Sequence, residues 1–153
     1  MIKSNVAILA VVVLILQIVA VVMNSWSVKS MGNGKKAEWG LWKVCNKNMN
    51  KPGEDSCANL PPHDASFPKN SLYLVRVLAI LGPILVAIGL YFMYYKTKKD
   101  ILFAIGGLSS LIASVVWYNE LRNMGNIDGN MGVAFVLNSV AGILALVLYK
   151  LRN

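Results

Sequence analysis

Trp39-Gly40-Leu41-Trp42-Lys43-Val44-Cys45, with Trp26 upstream and Cys57 downstream, is the stretch that decides how this chain is read. It lies in a polar loop, residues 24–71, that follows one apolar segment and precedes another. Arg76 stands about a turn inside that second segment. Tryptophans, a glycine and both cysteines gathered into the one long loop of an otherwise apolar chain point to a folded element and not to a linker.

Around this loop the chain is 56% hydrophobic and only 14% charged, too apolar for an ordinary soluble domain of its length. Four segments meet the requirement of roughly 20 mostly apolar residues for one bilayer crossing: Val6 to Met23, Leu72 to Tyr95, Ile101 to Tyr118 and Gly132 to Tyr149. The first follows Lys3 as a signal peptide would, but its run is longer than a usual signal core and Asn24-Ser25-Trp26 lacks the small residues of a cleavage site. It is therefore read as a span. The expected fold is one membrane domain over residues 1–153, mainly α, with loops 24–71 and 119–130 on the same side. Membrane lipids are its solvent. The formal charge of +8 comes from 15 basic residues scattered over every loop, the pattern of solvated loop charge and not of a nucleic-acid patch.

Four spans put both termini on one side. Lys96, Lys98 and Lys99 crowd the turn between spans two and three, and Lys150 and Arg152 follow span four; positive charge concentrates on the cytoplasmic side. The first loop has lysines of its own, so charge alone does not settle orientation. The cysteines bear on it, because a pair confined to one polar loop is useful in an oxidising exterior. Joining Cys45 to Cys57 would stabilise the loop by about 2 to 3 kcal/mol. The competing reading is two free thiols or half a metal site; with His63 the only histidine, a four-ligand zinc site cannot be built locally. The disulfide is expected, and with it an exterior loop and cytoplasmic termini.

Within the loop, Trp26-Ser27-Val28 and Trp39 to Val44 are aromatic and β-branched runs separated by Gly32-Asn33-Gly34, and Asn46 to Gly53 is rich in Asn, Lys, Pro and Gly. This is hairpin punctuation. It predicts a small antiparallel sheet on the outer helix ends, with Cys45 and Cys57 facing each other on adjacent strands and the second loop adding one edge strand at most. Ser66 or Ser71 would cap the helix of span two after Pro61, Pro62 and Pro68. Gly82, Gly89, Gly106, Gly107, Gly142 and neighbouring Ala and Ser residues recur at intervals that let helices approach in lipid.

Gln17, Asn138 and Arg76 are the polar residues at membrane depth, where such groups are functional candidates. Gln17 and Asn138 are read as interhelical hydrogen-bonding residues, and Arg76 reaches outward to the interface or to loop carbonyls. No catalytic constellation is present: His63 has no positioned Ser or Cys, no phosphate-binding glycine loop occurs and the carboxylates are confined to loops. Glu120 and Arg122, two apart on a helix, would not face each other. Neither an enzyme, a metal site nor a cofactor is expected.

The order Trp26, Trp39-Gly40-Leu41-Trp42, Cys45, Cys57 and Arg76 between two spans resembles the signature of the claudins, and the likeness extends to Gly106-Gly107, to Val116-Trp117-Tyr118 and to the small-residue-rich last span. The resemblance implies a left-handed four-helix bundle bearing an extracellular antiparallel sheet, with the tryptophans seating the sheet and Arg76 anchoring it. It further implies self-association side by side and across the intercellular gap, and association with other claudin-like proteins, to seal that gap or line charge-selective pores.

The chain also departs from that pattern. Asn46, Asn48, Ala58 and Asn59 follow the cysteines where pore-forming members often place charge, so no selectivity filter is named. The second loop, Arg122 to Asn126, lacks the aromatic pair used in strand contacts; Phe67 or Met124 is the substitute assembly contact. The chain stops at Lys150-Leu151-Arg152-Asn153 without a PDZ-binding end. The expected function is a plasma-membrane junction protein forming a paracellular barrier or pore. The alternative is an auxiliary or trafficking subunit of a channel or receptor. The peripheral myelin branch fits less well, because no Asn-x-Ser/Thr acceptor occurs in the loop.

Overall fold

The computed structural model describes residues 2–60, 68–95, 100–122 and 129–152. Four helices, α1 (Ile2–Val22), α2 (Lys69–Tyr94), α3 (Ile101–Val116) and α4 (Val133–Arg152), are each long and apolar enough to cross a membrane, α3 when its continuation to Glu120 is included. That continuation is a π-helical turn, Trp117–Arg122. The helices pack in a ring, α1 and α3 each touching both α2 and α4. α1 is apolar all round, with Gln17 its one polar residue beyond Asn5.

Glycine sets how closely the helices approach. A Cβ on Gly107 would stand 2.6 Å from the Gly142 carbonyl oxygen, and one on Gly106 2.9 Å from that of Gly82. Backbones are therefore in contact at both crossings, where dispersion and not the hydrophobic effect holds helices together in lipid. Branched side chains such as Ile8, Val77, Ile105, Val136 and Ile143 are turned outward. So large an exposed apolar belt is a lipid-facing surface.

The core has two apolar clusters with a polar layer between them. Trp26, Leu41, Leu72, Val75 and Trp117 belong to the one nearer the sheet, and Val13, Val86, Phe103 and Leu148 to the other. In the layer between, Gln17 Nε2 donates to Ser110 Oγ at 2.9 Å, and Asn138 Nδ2 donates to the Ser110 carbonyl at 2.7 Å and to Ser114 Oγ at 3.0 Å. These are the interhelical bonds expected of Gln17 and Asn138. At the end away from the sheet, Arg152 Nε meets Asp100 Oδ1 at 2.6 Å, tying the last turn of α4 to the start of α3.

The sheet is β1 (Ser27–Gly32), β2 (Lys35–Trp39), β3 (Lys43–Asn48), β4 (Ser56–Asn59) and β5 (Asn130–Met131), antiparallel in the order β4-β3-β2-β1-β5. Among the described residues, β5 is the one edge strand that the second loop adds. The first turn lies where the sequence places it: Asn33 and Gly34 have φ of 50° and 72°, the left-handed pair that a two-residue hairpin turn requires.

Two expectations change. Trp39 to Val44, read as one run, is broken at Gly40-Leu41-Trp42, which reverse the chain between β2 and β3 with Gly40 N bonded to the Lys43 carbonyl at 2.9 Å. Leu41 leaves the strand direction because its side chain is drawn wholly into the core. Ser71 is not a helix cap: α2 begins at Lys69 behind Pro68, without a side-chain cap, and Ser71 Oγ instead donates to Glu120 Oε2 across the bundle. Ser66, His63, Phe67 and Met124 lie outside the described residues.

Candidate functional site

The sheet is seated on the bundle through the helix end that precedes it. The last carbonyls of a helix have no partner within it, and two tryptophans supply donors to those of α1. Trp26 Nε1 bonds the Ala20 carbonyl at 2.8 Å, and Trp42 Nε1 bonds that of Val21 at 2.9 Å. Trp26 is fully buried, its ring 5.3 Å from Trp117 and edge-on to Phe135 at 6.3 Å. Trp117 Nε1 in turn donates to Ser27 Oγ at 3.0 Å. Trp42, by contrast, is 37% exposed at the rim.

Gly40 lets two backbones meet, since a Cβ there would stand 2.5 Å from Asn24 Cα. That approach delivers Leu41 to the core and leaves its carbonyl facing α2. Arg76 takes it: Nε donates to the Leu41 carbonyl and Nη2 to the Leu60 carbonyl, both at 2.8 Å. The guanidinium also lies 4.9 Å from the centre of the Trp42 ring and 5.5 Å from that of Tyr73, within cation–π range. Trp39 is half-buried against the same cluster, and its carbonyl accepts from Trp26 N at 2.8 Å.

Cys45 and Cys57 are directly opposed on β3 and β4 and bridged, with S–S 2.06 Å. Glu38 lies opposite Cys45 on the neighbouring strand. Its carboxylate is held by Lys36 and Lys47, each at 2.7 Å. Burial pushes the Glu38 carboxyl up, but the hydrogen bonds and charges of Lys47 and Lys36 together outweigh it and hold the group below its ordinary value. The start of α4 is also tied to the seat, through Gly132 N to the Trp26 carbonyl at 3.0 Å and Ala134 N to the Ser25 carbonyl at 3.1 Å.

Trp26, Gly40, Leu41, Trp42 and Arg76 thus meet at one place, with Trp39 at its edge, and the cystine lies higher on the sheet. Sequence reading missed Glu38, Ser27 and the seating role of Trp117. The signal for Trp117 was present, a tryptophan at the end of a span facing a loop rich in aromatics. No group of three or more potential metal ligands occurs among the described residues.

The seat is assembled from groups whose polar atoms face one another, so its chemistry is mechanical: it holds a charged, cross-linked sheet rigidly at one bundle end. A family model, that of the PMP-22/EMP/MP20/Claudin family, matches residues 2–149. No curated protein matches the chain significantly.

Proposed function

The chain belongs to the PMP-22/EMP/MP20/Claudin family of multi-pass membrane proteins, and from that premise we propose that it is a cell–cell junction protein of the plasma membrane. It assembles side by side, and across the intercellular gap, into a paracellular barrier or pore. The sheet faces the cell exterior and both termini are cytoplasmic.

The observation that carries this reading is the seat. A sheet held to the bundle by Trp26, Trp42 and Arg76 and cross-linked by Cys45–Cys57 is a rigid platform. Rigid surfaces associate without a large ordering cost. Lys29, Lys35, Lys36, Lys43, Lys47 and Lys51 outnumber Glu38, Glu54 and Asp55 on the described part of the first loop. In a narrow wet gap such a surface favours anions over cations through its field.

The test is expression in cells that lack junctional strands, followed by freeze-fracture of their contacts. Continuous intramembrane fibrils are the expected result. Dispersed particles, together with co-purification of a larger channel or receptor, would instead establish an auxiliary subunit.

A further inference from the structure

We propose that the seam between α1 and α2 is a phospholipid site, with one acyl chain in the seam and the lipid phosphate at Arg76. A groove of about 320 Å³ runs along this seam, walled by Leu14, Ile18 and Val21 of α1 and Ile80, Ile84 and Ala87 of α2, with no polar surface. Trp42 and Arg76 adjoin its end nearer the sheet. Trp42 Nε1 is bonded to the carbonyl of Val21, a wall residue, and Ile80 follows Arg76 by one helical turn on the same face.

The mouth and the trough differ in chemistry, as the two ends of a phospholipid do. Arg76 has five N–H donors, of which Nε and Nη2 serve the Leu41 and Leu60 carbonyls. Nη1 makes no hydrogen bond among the described residues, and the guanidinium lies against the partly exposed rings of Trp42 and Tyr73. A cation flanked by aromatic rings just above an apolar trough between spans is complementary to a lipid phosphate. The trough does not suit a second helix. Helices in lipid approach through small residues, and the glycines of this bundle are spent at the α2–α3 and α3–α4 crossings. Branched side chains line most of the groove, and a flexible chain follows them more closely than a rigid cylinder.

The test uses the full chain in nanodiscs of phosphatidylcholine doped with a phosphatidylcholine that carries a photoactivatable group midway along one chain. Labelling is expected to concentrate on Ile18, Ile80 and Ile84 and to fall severalfold in Ala87→Phe, which fills the trough without touching the seat. A diacylglycerol with the same labelled chain is expected to label severalfold less. Labelling spread evenly over Ile8, Val77 and Val136, or unchanged in Ala87→Phe, overturns the site. Equal labelling by the diacylglycerol overturns the role of Arg76. A covalent dimer formed through Ile18→Cys in the same membranes, with labelling of the groove lost, overturns the proposal in favour of a second copy.

Discussion

Arg76 Nε donates to the carbonyl of Leu41 across 2.8 Å, joining a cation rooted in α2 to a loop residue whose own side chain is wholly buried in the bundle. The loop is thereby gripped from both sides of one residue, by its side chain through apolar packing and by its backbone through a charged donor. The Leu60 carbonyl is held by the same guanidinium; Leu60 N bonds the Trp42 carbonyl at 2.8 Å, so Arg76 clamps the β2–β3 turn and the end of β4 where they lie side by side.

Replacing Arg76 tests that grip. Hydrogen bonds from a charged donor contribute about 1.5–3 kcal/mol each, and Arg76→Met removes two of them. Hydrogen exchange in residues 27–60 is expected to rise while exchange in α3 and α4 stays protected. Arg76→Lys, which keeps the charge but not the fork, is expected to fall between the two.

Cys57→Ser removes a cross-link worth about 2–3 kcal/mol and leaves Cys45 as a thiol, only 4% exposed in the seated sheet. A membrane-impermeant thiol reagent is expected to leave the wild type unlabelled and to label Cys57→Ser, slowly at first and faster as the sheet is loosened by mild denaturant. Full labelling of the untreated wild type would show that the bridge is not formed.

Glu38 is expected to make the stability of the sheet fall in acid. Its carboxyl is held low when folded and returns to its ordinary value, 4.5, when unfolded. Its stabilising contribution is therefore complete above about pH 4.5 and is lost as the pH falls through the lower folded value. Glu38→Gln is expected to flatten the pH dependence of sheet stability in that window, measured by hydrogen exchange from pH 6 downward. An unchanged slope would remove Glu38 as its source.

In the bundle, packing outweighs polarity. Gly107→Ala places a methyl group 2.6 Å from the Gly142 carbonyl oxygen and is expected to cost about 1–3 kcal/mol, as overpacking does. Gln17→Leu gives up one hydrogen bond to Ser110 but also removes Gln17 Oε1, a buried atom without a partner among the described residues; its effect is expected to stay within about 1 kcal/mol. Thermal unfolding in detergent compares the two, and a larger loss in Gln17→Leu would reverse the ranking.

How much of this was legible follows from which interactions are local. The four spans show in runs of apolar residues, and the first hairpin in Asn33-Gly34, because a left-handed pair is demanded by the turn itself. The Cys45–Cys57 pairing was accessible because both cysteines lie in one loop. The break at Gly40-Leu41-Trp42 was not, since hydrophobic residues look alike whether they continue a strand or turn into a core. Glu38 was invisible for a related reason: one of its partners, Lys47, is brought to it by strand register and not by spacing. The Trp117–Ser27 bond, 90 residues apart, and the π-helical turn around Trp117 depend on the assembled bundle. No short window of sequence contains them.

In the proposed arrangement the tryptophan-seated, cystine-bridged sheet stands on the outer face of the four-span bundle. The most direct measurement is an epitope inserted between Pro52 and Gly53, in the exposed turn joining β3 and β4, and stained in intact cells beside a control tag at Met1. The inserted epitope is expected to stain without permeabilisation while the control does not. Staining of the insertion only after permeabilisation would place the sheet in the cytosol and contradict both the orientation and the junctional role built on it.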